Sequence, residues 1–111
     1  MRDLFDPTSI ELLIEDLGEN ATREVLDLFF TDSAARLDQL REKGTSPDSR
    51  IAGRYARSLK NAAAAFGFTG LAALAQALET DANGLSAAEI GTRAQALSEA
   101  LAAARDLSPL Q

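Results

Sequence analysis

The chain has 111 residues, 46% of them hydrophobic and 25% charged, which suits a single domain spanning 1–111 with one modest core. It holds no Cys and no His, which excludes disulfides, thiolate and imidazole metal sites, a Cys nucleophile and any His-centred acid–base mechanism. A formal net charge of −6 argues against non-specific nucleic-acid binding.

Ala is abundant and aromatics make up only 5%, a mixture that favours packed helices over sheet. Asp6 and Pro7 form a cap and first-turn pair, followed at helical spacing by Ile10, Leu13, Ile14 and Leu17, and Gly18 closes this short helix. A second helix is expected from near Asn20 to about Lys43. Val25, Leu26, Phe29, Phe30, Ser33, Leu37 and Leu40 would face inward, and Glu24, Asp27, Asp32 and Asp38 outward. After a loop over Gly44-Thr45-Ser46-Pro47, the third helix is expected to start with Ser46 as cap and Pro47 in its first turn. It would carry Ile51, Tyr55, Leu59, Ala62 and Phe66 on one side. Gly67-Phe68-Thr69-Gly70 reads as a tight turn, with Thr69 capping a fourth helix that uses Leu71, Leu74, Ala75 and Leu78 and ends in Asp81-Ala82-Asn83-Gly84. Ser86-Ala87-Ala88-Glu89 is a capping box for a fifth helix with Ile90, Ala94, Leu97 and Leu101 facing inward.

No segment alternates with period two. The predicted fold class is therefore all-α: an up-down antiparallel four-helix bundle with a short additional N-terminal helix at one end. Met1 to Pro7 has no basic stretch leading into an apolar one, so no signal peptide is expected, and with no Cys the expected location is cytoplasmic. Asn61 to Leu78 is free of charge for 18 residues, but Gly67 and Gly70 break it, so buried helix segments are expected there rather than a membrane span.

Charge is unevenly distributed. Residues 1–48 hold 12 acids and 5 bases and residues 79–111 hold 5 acids and 2 bases, whereas Ser49 to Leu78 holds Arg50, Arg54, Arg57 and Lys60 and no acid. Arg50, Arg54, Arg57 and Asn61 lie at i, i+4, i+7 and i+11, one face of a helix, with Lys60 at its edge. A ridge of this kind often does no more than balance acids on neighbouring helices.

The stretch Ala56-Arg57-Ser58-Leu59-Lys60-Asn61-Ala62-Ala63-Ala64-Ala65-Phe66-Gly67, continuing through Leu71, Leu74, Leu78 and Glu79, resembles the signature of histidine phosphotransfer (HPt) domains. Ala56, Leu59, Lys60, Phe66, Gly67, Leu71, Leu78 and Glu79 fall in register with it, and Leu28-Phe29-Phe30 with Ala35-Arg36-Leu37 and Leu40 is similar to that family's second helix. The resemblance implies a two-component phosphorelay module. Its exposed histidine would exchange a phosphoryl group with receiver-domain aspartates, with a lysine one turn on offsetting phosphoryl charge and a glycine leaving room for the receiver.

Arg57 stands at the histidine position and Asn61 at the glycine position, while Lys60 is retained. Guanidinium is permanently protonated and cannot serve as the phosphoryl acceptor, so catalytic residues, cofactors and metals are all expected to be none. Two readings stay open. In one, the chain is a non-enzymatic signalling module that binds a receiver domain or histidine kinase through Arg50, Arg54, Arg57, Lys60 and Asn61. In the other it is a structural bundle acting through self-association as a homodimer, or through an unrelated protein partner, with the ridge a relic. Neither reading involves nucleic acid or membrane.

Overall fold

The structure, a computed structural model, describes residues 5–41 and 48–110. It is an all-α up-down bundle of α1 (Thr8–Leu17), α2 (Glu19–Arg41), α3 (Ser49–Ala65), α4 (Thr69–Asp81) and α5 (Ala87–Leu107), with a 3-10 turn at Ala82–Gly84 between the last two. The bundle is elongated, 43 × 24 × 20 Å.

Capping chemistry sets several of the boundaries. The Thr8 N–H donates to Asp6 Oδ1 at 3.0 Å, which starts α1 as the Asp6-Pro7 pair leads one to expect. Gly18 (φ 86°) ends it, and its carbonyl accepts from Thr22 Oγ1 at 2.8 Å, so α2 begins one residue later. The start of α3 differs from expectation. Ser46 and Pro47 lie outside the described residues, and the helix begins at Ser49 under Asp48, whose carboxylate accepts from the Arg50 N–H at 2.7 Å. The ionised Asp48 oxygen is a strong acceptor for a helix N-terminus.

Thr69 is likewise not a cap. It is the first residue of α4, after Phe68. The tight turn forms as expected around Gly67 (φ 86°), where a Cβ would lie 2.1 Å from the Asp6 carbonyl oxygen. Asp6 donates its N–H to the Gly67 carbonyl at 2.7 Å, which ties the entry to α1 onto this turn. At α5 the capping box is present in full: Ser86 Oγ accepts from the Glu89 N–H at 3.1 Å, and Glu89 Oε1 accepts from the Ser86 N–H at 2.8 Å.

The core runs the length of the bundle. α2 contributes Leu26, Phe29, Phe30, Leu37 and Leu40, and α5 contributes Ile90, Ala94, Leu97 and Leu101. Phe29, Phe30, Phe66 and Phe68 are buried together, with Phe5 stacked on Phe68 at 5.2 Å between ring centroids.

Several expected core positions fail. On α3 the buried stripe is Ala52, Ala56, Leu59 and Ala63, whereas Ile51 is 41% exposed and Tyr55 and Ala62 are only half-buried. Small residues let α3 and α4 approach closely along this stripe, and bulky side chains would hold them apart. The helix therefore turns its alanines inward and its larger apolar groups to the side. Val25 (39% exposed) and Leu74 (48% exposed) are displaced in the same way, each lying beside a seam between helix pairs rather than under one.

Candidate protein-docking site

The α3 helix presents Arg50, Arg54, Arg57 and Asn61 to solvent on one face, as their spacing requires. Arg50 is engaged at the helix start, its guanidinium 3.3 Å from Asp48. The Arg50 backbone N–H, then the Arg50 side chain and the positive field of Arg54, hold the Asp48 carboxyl below its ordinary pKa. Arg57 is exposed, and no hydrogen bond or ion pair engages it among the described residues.

Lys60 departs from the ridge. Its Nζ lies 2.7 Å from Glu79 Oε1 of α4, and both side chains are only 28% exposed. The helix turns Lys60 toward α4, where it bridges α3 to α4. The site residues thus separate into an exposed group (Arg50, Arg54, Arg57 and Asn61) and one cross-helix tether.

Beside the ridge, the seam between α2 and α3 opens into a groove of about 410 Å³. Val25, Leu28, Phe29, Tyr55, Ala62 and Phe66 give it an apolar floor and walls. Leu28 is 70% exposed, the highest value among the exposed large hydrophobic residues. Tyr55 is oriented by its O–H, which donates to Gln39 Oε1 at 3.0 Å, and by the Arg36 guanidinium 5.5 Å from its ring centroid. Arg36 itself pairs with Asp32 at 3.2 Å.

The result is a largely apolar groove whose charged lining residues are the paired Asp32 and Arg36, with Arg54 and Arg57 exposed elsewhere on α3. Sequence reasoning placed Val25 and Ile51 in the core and passed over Leu28. The available signal was that Leu28 belongs to neither the inward set nor the acidic outer set of its helix.

Glu19 pairs with Arg23 at 3.0 Å. Among the described residues no group of His, Cys, Asp or Glu is placed to hold a metal ion, and no helix is long and apolar enough to cross a membrane.

The fold is that of an all-α helical bundle. The family model described as Hpt domain matches residues 24–107, most of the chain, and the chain belongs to that family. Hpt domains are phosphorelay signalling modules that carry phosphoryl groups and interact with receiver domains and kinases. No curated protein and no solved structure matches the chain.

Proposed function

We propose that this chain is a phosphotransfer-incompetent Hpt module that acts by binding a receiver domain or a histidine kinase. The observation that carries the reading is Arg57. It stands where the family's phosphoaccepting histidine is expected, in a chain with no His, exposed and unpaired among the described residues. A guanidinium has no free nitrogen lone pair at any physiological pH, so it cannot take up a phosphoryl group. It can present a fork of N–H donors to a carboxylate or to an aspartyl phosphate, and a receiver's phosphorylation pocket is acidic. The partner's apolar surface would seat on Val25, Leu28 and Tyr55, and its acidic rim on Arg54 and Arg57. Such a module competes with a true phosphotransfer protein or holds a receiver in one state.

The test is titration against purified receiver domains and kinases of the host organism, with receivers both unmodified and phosphorylated. Binding should weaken with added salt, since exposed charges are screened beyond about 10 Å at 0.1 M. Arg57→Glu should weaken it by about tenfold or more, equivalent to about 1.4 kcal/mol. Absence of binding to every receiver and kinase, in either state, refutes the reading.

A further inference from the structure

The bundle has a second open seam. Around it, α3 packs most extensively on α4 and α2 on α5, and the two looser seams, α2/α3 and α4/α5, lie on opposite sides. The α4/α5 seam opens into a groove of about 460 Å³ whose lining carries no polar or charged side chain. Leu74 (48% exposed) and Leu107 (45% exposed) stand out from it, and Gly70, Ala73, Ala100 and Ala103 form its low ground. On α4 the apolar positions Gly70, Ala73, Leu74 and Ala77 recur at i, i+3, i+4 and i+7. On α5 Ala96, Ala100, Ala103 and Leu107 recur at i, i+4, i+7 and i+11. This is the spacing of a helix face that packs on other helices, and here no other helix covers it among the described residues.

We propose that a second copy of this chain docks on the α4/α5 face. The first argument is self-complementarity. The antiparallel helices put Gly70–Leu74 beside Ala100–Leu107, so each half of the face carries one projecting leucine and two small residues. A two-fold axis through the groove sets Leu74 of one copy over Ala100 and Ala103 of the other, and Leu107 over Gly70 and Ala73. A symmetric dimer requires a patch that supplies both knob and hole.

The second argument is charge. Each copy carries −6, so two copies meeting through acidic faces such as those of α1 and α2 repel. The α4/α5 strip carries neither sign, and contact there desolvates no ion. Its neighbours are already paired, Arg93 with Asp81 at 2.9 Å and Arg105 with Asp27 at 3.5 Å. A face whose lining carries no charge lacks the feature that selects a foreign partner, in contrast to the arginine ridge of α3. The dimer leaves the α2/α3 groove free on the outer side of each copy.

Sedimentation equilibrium from about 1 µM to about 1 mM, a span of ordinary dissociation constants, tests this directly. The mass should rise from one chain to two. Leu74→Glu and Leu107→Glu should each raise the dissociation constant by about tenfold or more, while Leu28→Glu, in the opposite groove, dimerises as the parent does. Because the chain has no Cys, Ala103→Cys gives a second readout that leaves the face nearly intact. It should cross-link to its symmetry mate with a short bis-maleimide, and Ala35→Cys on the exposed side of α2 should not. A single-chain mass at the highest concentration, a dimer undisturbed in both Glu variants, or equal cross-linking from Ala35→Cys overturns the proposal.

Discussion

The Lys60–Glu79 contact separates two roles that sequence alone assigns to one ridge, and a double-mutant cycle can measure it. Unit charges about 4 Å apart interact by about 1 kcal/mol in water and about 4 kcal/mol at an effective dielectric constant of 20. With both side chains 28% exposed, solvent reaches the pair and reduces the gain. The coupling expected is about 0.5–1 kcal/mol, at the upper end for exposed pairs. Lys60→Met keeps most of the aliphatic stem and Glu79→Gln keeps the shape, so each removes the charge pairing with little change in packing. Urea unfolding followed by circular dichroism should give each single variant a loss of about 1 kcal/mol, or roughly 4 °C in Tm, with the double variant losing less than the sum. Partner affinity is the second axis of the same experiment. Lys60→Met should weaken receiver binding by no more than about threefold, against about tenfold or more for Arg57→Glu. Additivity of the two substitutions, or an affinity loss for Lys60→Met equal to that of Arg57→Glu, would refute the assignment of Lys60 to the α3–α4 tether.

Gly67→Ala should be the costlier of the two left-handed glycine substitutions, because it adds a backbone clash 2.1 Å from the Asp6 carbonyl to a conformational cost of about 1–2 kcal/mol. Thermal unfolding should place it well below Gly18→Ala, whose added Cβ meets nothing within 4 Å; equal Tm values would refute the role of the Asp6 contact. The caps of α3 and α5 should fail in acid. The Asp48 carboxyl is held below its ordinary value by the N–H and side chain of Arg50, and the Glu89 carboxyl by the N–H and hydroxyl of Ser86. A depressed folded-state pKa contributes stability above the unfolded values, 3.8 and 4.5, and that stability is lost as pH falls through the folded ones. NMR titration of the two carboxyl groups should show both midpoints below those values, and midpoints at or above them would refute the caps.

Helix number, order and most inward positions were legible in the sequence because Leu, Ile and Phe recur at helical spacing on α2 and α5. The capping box at Ser86–Glu89 was legible because it is local, closed by two hydrogen bonds within four residues. The Lys60–Glu79 pair was not, because it joins two helices across a turn, and no pattern within either helix points to it. The start of α3 differs from the Ser46-Pro47 expectation because Asp48 supplies the cap, its carboxylate accepting from the Arg50 N–H.

The rotation of α3 is the error with consequences for the site. Hydrophobic periodicity weights residues by bulk, so Ile51 and Tyr55 outvote Ala52, Ala56 and Ala63. In the bundle the order reverses, because close approach of α3 to α4 favours the residues that take up least room. Turning the alanines inward moves Tyr55 to the α2/α3 seam and Ile51 out to solvent, where Val25 and Leu28 of α2 are also exposed. The same turn carries Lys60 toward Glu79 and leaves Arg57 clear of any acid among the described residues. The apolar groove and the exposure of Arg57 thus follow from one packing decision, the turning of the α3 alanines into the core. Enlarging Ala56 or Ala63 would therefore disturb the proposed docking face from behind, without altering any residue of that face.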